Sequence, residues 1–64
     1  MTMPAIGDRI VVNILLGGGV EKPCLVQVMG MIPLGLRIMM IDAADEAGLP
    51  AGDQTFVGWD RVAE

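Results

Sequence analysis

Apolar positions along the chain gather into four short runs separated by glycine, proline and aspartate. The first is Arg9-Ile-Val-Val-Asn-Ile-Leu-Leu16, rich in β-branched side chains. Cys24-Leu-Val-Gln-Val-Met-Gly-Met-Ile32 follows, then Leu36-Arg-Ile-Met-Met-Ile41, and last Thr55-Phe-Val57 with a short continuation at Arg61-Val-Ala63. Runs this short, enriched in Val and Ile and bounded by turn residues, predict strands rather than helices. Within them the expected alternation of apolar and polar positions is missing. Ile10, Val12 and Ile14 make one face of the first run, but Val11 and Leu15 sit on the other beside Arg9 and Asn13. Val26 and Val28 oppose Leu25, Met29 and Met31; Ile38 and Met40 oppose Met39 and Ile41. Both faces of the central sheet therefore read as apolar.

The breaks between runs predict the connections. Gly17-Gly18-Gly19 ends the first strand, and three residues that accept positive φ without penalty suit a sharp reversal. A phosphate-binding loop would need Lys and Ser or Thr at fixed spacing and a following helix, and neither is present. Pro33-Leu34-Gly35 predicts a tight hairpin between the second and third strands. Asp42-Ala-Ala-Asp-Glu-Ala-Gly48 predicts one short helical turn, with Asp42 as its cap, Asp45 and Glu46 in its first turn and Gly48 at its end. The same acidic cluster lacks the alternating ligands and loop length of a calcium motif.

Composition narrows the chemistry. Sixty-four residues make a single domain over 1–64. His, Ser and Tyr are absent and Cys24 is the sole cysteine, so no Ser–His or Cys–His nucleophile pair, no His-ligated metal and no internal disulfide can form within the chain. The net charge is −4, and the four cations, Arg9, Lys22, Arg37 and Arg61, are dispersed. Nucleic-acid binding needs a basic stripe, and anionic membranes need the same, so neither partner is expected. Hydropathy is high, yet the longest uncharged stretch, Pro23 to Leu36, carries two prolines and two glycines and falls short of the ~20 residues a membrane span requires. Met1-Thr-Met-Pro4 has no basic or apolar segment of signal-peptide type, which places the chain in the cytoplasm by expectation.

The tail Thr55-Phe-Val-Gly-Trp-Asp-Arg-Val-Ala-Glu64 resembles the end of an SH3-like barrel, where a fourth strand enters a single 3₁₀ turn and a short fifth strand closes the barrel. Gly7-Asp8-Arg9-Ile10-Val11 looks like the lead into the first barrel strand. The resemblance implies an all-β fold: a small five-stranded SH3-like barrel with one short helical turn near 42–48. Signalling SH3 domains bind proline-rich peptides on stacked aromatics. Only Phe56 and Trp59 are aromatic here, so that groove is not expected. The Gly-Asp-Arg lead and terminal Arg-Val-Ala are also similar to the plasmid-borne type II dihydrofolate reductases, barrels that work as tetramers. Their pore-lining Val-Gln-Ile-Tyr segment aligns with Gln54-Thr-Phe-Val57, which does not match it, and the activity is not carried over.

Hydrophobic residues make up 53% of the chain, more than a barrel this small can hide. Exposing a whole apolar sheet face would exceed the few hundred Å² that monomers tolerate. Burying about 800 Å² of it would contribute roughly 20 kcal/mol before the costs of association. A homo-oligomer, dimer or higher, is the expected solution. The alternative is that residues 43–53 fold back over the second face. The expected function is a non-enzymatic, self-associating interaction or assembly module, of the kind carried by bacterial or mobile-element accessory proteins. The second reading is a binder of apolar or cationic small molecules with a pocket between protomers. No catalytic residue, cofactor or metal ligand is expected. The candidate interface or pocket residues are Met29, Met31, Met39, Ile41 and Trp59. The methionines read as adaptable core and interface filling rather than copper ligands. Cys24 reads as a small buried hydrophobe, and Trp59 as either a barrel plug or a contact anchor.

Overall fold

A computed structural model describes residues 4–62, which form an all-β fold. Four strands make one antiparallel sheet: β1 (Arg9–Leu15), β2 (Glu21–Ile32), β3 (Gly35–Met40) and β4 (Gln54–Gly58), in the order β1-β2-β3-β4. Three single 3₁₀ turns punctuate them, at Gly17–Gly19, Asp45–Ala47 and Trp59–Arg61. The four apolar runs thus become four strands, and the expected helical turn near 42–48 forms as a 3₁₀ turn. The expected fifth strand is represented by one backbone bridge, Val62 to Val12, which brings the end of the chain back to β1. Ala63 lies outside the described residues.

One face of the sheet makes the core. Val12 and Ile14 from β1, Cys24, Val26 and Val28 from β2, Leu36, Ile38 and Met40 from β3, and Val57 from β4 are buried together. Alternation places them on one side, because paired residues such as Val12 and Cys24, or Val28 and Ile38, point the same way. Ala44 joins the core, and Ala47 and Leu49 pack against it. Ala44, Ala47 and Leu49 thus help close the inner core, while on the outer face Val11, Leu15, Ile32 and Phe56 stay exposed and Leu25, Gln27 and Met39 are half-buried. No polar or charged residue is buried among the described residues.

The connections follow their residues. Gly18 and Gly19 take positive φ, and the loop closes with Leu16 N–H donating to the Val20 carbonyl at 2.7 Å. Pro33 and Leu34 alone join β2 to β3, with Ile32 opposite Gly35. Asp42 does not cap the helical turn; Ala44 occupies that position without a side-chain bond. The Asp42 carboxylate instead accepts the Leu25 N–H at 3.0 Å, where Ile41 and Asp42 N–H groups reach the Leu25 carbonyl. A short side-chain acceptor continues the ladder one step past the end of β3.

β2 carries a bulge. Val28 faces Ile38 but Gly30 faces Arg37, so Met29 is an extra residue on β2. Such an insertion bends the strand and increases its twist, which lets one long strand serve both ends of a curled sheet. The strands crowd each other where β3 meets β4 at Gly35. Gly35 lies opposite Gly58, and a Cβ on Gly35 would overlap the Val57 carbonyl oxygen and sit 2.8 Å from Phe56 Cζ and 2.9 Å from Gly58 Cα. Close backbone approach is what requires glycine there. Gly35→Ala should cost about 3 kcal/mol and lower the thermal midpoint by more than about 10 °C. Gly30→Ala, whose Cβ would meet only Arg37 Cβ and Cδ at 3.9 Å, should shift it far less. Equal melting of the two variants would rule out this packing.

Candidate functional site

The charged side chains lie outside the core, and two of the four cations pair with carboxylates distant in sequence. Lys22 Nζ is 3.9 Å from Glu46 and donates to the Ala43 carbonyl at 3.3 Å. Arg61 pairs with Glu21 and approaches Asp60 at 4.0 Å. Arg37 donates to Gln54 Oε1 at 3.4 Å. Among the described residues neither Arg37 nor Arg9 has a carboxylate within ion-pair distance, and no cluster of three or more His, Cys, Asp or Glu could hold a metal. What the surface offers is apolar.

The bulge decides which side chains share a face. Up to Val28, the outer positions of β2 are Pro23, Leu25 and Gln27, opposite Asn13, Val11 and Arg9. Past the bulge the alternation is reversed, because a one-residue slip turns the following side chains over. Met31 therefore pairs with core residue Leu36 and leaves the outer face, while Ile32 joins it. Phe56, opposite Arg37, and Gln54, opposite Met39, complete the outer face on β4.

The five candidate residues are consequently dispersed. Met39 is half-buried on the outer face between Gln27 and Gln54. Met29 sits half-buried at the bulge, Ile41 half-buried just beyond β3, and Met31 is exposed on the core side of the β2–β3 hairpin. Trp59, half-buried, packs against the core and donates its indole N–H to the Pro33 carbonyl at 2.9 Å, tying the last 3₁₀ turn to the β2–β3 turn. Sequence reasoning omitted three residues that the structure leaves prominently exposed. Leu34 is 77% exposed at the hairpin tip, and Ile32 and Phe56 are 44% and 45% exposed on the outer face beside it. An apolar residue inside a two-residue turn is the signal available for Leu34; for the bulge that turns Ile32 outward it is Gly30, an isolated glycine within the strand run.

Two concavities flank this region. A shallow groove on the outer face is lined by Ile32, Arg37, Gln54, Thr55 and Phe56. A cleft of about 340 Å³ separates the edges of β1 and β4, between Asn13–Leu15 and Thr55–Gly58, with Leu49 and Arg61 on its walls. No protein-family model, curated protein or solved structure matches the chain.

Cys24 is fully buried against Val12 across the ladder, its Sγ 3.6 Å from the Lys22 carbonyl. Burial pushes the thiol above its ordinary value of 9.0; the Lys22 ammonium opposes the shift, and the Asp42 and Glu46 carboxylates add to it. A raised folded value means the neutral thiol stabilises the fold fully below the unfolded value, and that contribution is lost as pH rises through the folded one. Native protein should leave Cys24 unmodified by a thiol reagent in mildly alkaline buffer and release it rapidly on denaturation. Stability should decline above pH 9.0, and a Cys24→Ala chain should lack the part of that decline due to the thiol. Stoichiometric labelling of the folded chain would refute the burial.

Proposed function

We propose that the chain is a non-enzymatic interaction module that associates with copies of itself through the outer face of its sheet. The observation that carries this reading is the pairing of a completed inner core with an outer face still bearing Val11, Leu15, Ile32 and Phe56 exposed. Ala44, Ala47 and Leu49 pack on the inner core, and these four outer residues remain exposed beside them. Exposed apolar surface of this extent marks an interaction site. We read the finer fold as a closed SH3-like barrel of five strands. The meander of four strands, the 3₁₀ turn at Trp59–Arg61 and the return of Val62 to Val12 support that reading. Nucleic acid is disfavoured as a partner because two of the four cations are already engaged by carboxylates in an acidic chain. No helix among the described residues is long and apolar enough to cross a membrane. We place the chain in the cytoplasm, which suits a buried, unpaired thiol.

Sedimentation of the pure chain at tens of micromolar tests the proposal. Dimers or larger species are expected, and a strict monomer would overturn it. The cleft between the β1 and β4 edges favours a second reading, a binder of small apolar or cationic molecules. Trp59, the single tryptophan, follows directly on cleft residue Gly58. Ligand entry should therefore change its fluorescence, and a flat response across a library of apolar amines and aromatics would remove this reading.

A further inference from the structure

We infer that the patch of Ile32, Leu34 and Phe56 is the surface on which a second copy of this chain docks, across a two-fold axis; the inference rests on the self-association proposed above and names its surface. The three residues are contiguous. Ile32 and Gly35 face each other across the hairpin, Pro33 and Leu34 form the turn between them, and the Phe56 ring lies over Gly35. Ile32 and Phe56 also wall one groove, whose remaining sides are Arg37, Gln54 and Thr55.

Area argues for a second copy. Taking about 200 Å² for a large side chain, exposures of 44%, 77% and 45% leave roughly 300 Å² of apolar surface on these three residues alone. Exposed Pro33 and the stems of Arg37 and Gln54 enlarge it. A specific interface at the small end of the stable range covers about 600 Å² per partner, a little over half of it apolar. One copy of the patch therefore supplies about the apolar area that one side of such a dimer needs.

Charge argues for the same face. The chain carries a net charge of −4, so most approaches of two copies are repulsive. The strand positions of the outer face hold a single carboxylate, Glu21, which lies at the far end of β2 and is paired with Arg61. Around Phe56 the face presents Arg37, Gln54 and Met39 instead. The strands bring no opposed carboxylates together there, and the carboxylate beside the patch, Asp60 over Gly58, has Arg61 Nε 4.0 Å away.

The patch must also be self-complementary, because an isologous contact closes at the dimer whereas a head-to-tail contact continues into rings or filaments. Sedimentation equilibrium on the full chain and on three variants tests this. Leu34→Glu touches a side chain with almost no contacts of its own and leaves the monomer intact; Phe56→Glu acts at the centre of the patch; Val11→Glu places the same charge on the other end of the outer face. Circular dichroism confirms the fold of each, and Leu34→Glu decides alone if Phe56→Glu does not fold. The expected result is a wild-type dimer whose dissociation constant rises roughly 30-fold or more with Leu34→Glu and Phe56→Glu, as for hot-spot residues, and changes little with Val11→Glu. Dimers that survive Leu34→Glu and Phe56→Glu, or wild-type species that grow without limit, would overturn this inference while leaving self-association standing. A wild-type monomer would overturn both.

Discussion

One sheet has to make its own core. With four strands and no second layer among the described residues, the core forms within the curve of the sheet, and the final 3₁₀ turn brings Val62 back to Val12 on β1. Three local features supply that curl. The bulge at Met29 bends the longest strand, the glycine pair Gly35–Gly58 lets β3 and β4 backbones approach, and Trp59 hydrogen-bonds the Pro33 carbonyl to hold the last turn against the hairpin. Each acts at the same corner. Beside that corner the β1 and β4 edges stay apart around the cleft, whose walls include Leu49, Ala47 and Arg61, the last paired with Glu21.

The core this produces contains aliphatic side chains and one thiol, and no buried side-chain polar atom is left without a partner among the described residues. Its specificity must come from shape, since no buried hydrogen bond selects one register over another. Backbone devices take over that task. Glycine at the crowded corner and the bulge favour the observed strand alignment through the backbone, and the Asp42 carboxylate on the Leu25 N–H adds a side-chain contact to it.

Much of this was legible in the residues. Short apolar runs bounded by Gly, Pro and Asp marked four strands, Pro33-Leu34 marked the hairpin, and Asp45-Glu46 with Gly48 marked the helical turn, because strand propensity and turn chemistry are local properties. Asp42 resembles a helix cap in sequence, but its partner, the Leu25 N–H, is distant in sequence and adjacent only after β2 and β3 pair. The outer face was legible as apolar but not in membership. Strict alternation assigns Met29 and Met31 to it, and a single inserted residue moves Met31 to the core side and Ile32 outward. Gly30 inside the second apolar run is the local mark of a bulge, but its direction and the resulting register depend on the twist of the whole sheet. Phe56 was hidden for a related reason: β4 is short, and its outward register depends on how β3 pairs with it.

Closure of the core and exposure of the outer patch therefore have one cause. Without the bulge at Met29, β2 would keep its alternation, Ile32 would turn toward the core side, and the sheet would be flatter, with Gly35 and Gly58 under less demand for close approach. With it, the inner face closes, and Ile32 is carried out beside Phe56, whose ring lies over the glycine that closure requires. A chain this small has few ways to place apolar side chains without uncovering others. The geometry that makes a core from one sheet also concentrates what the core cannot hold at the corner where β3 and β4 crowd Gly35.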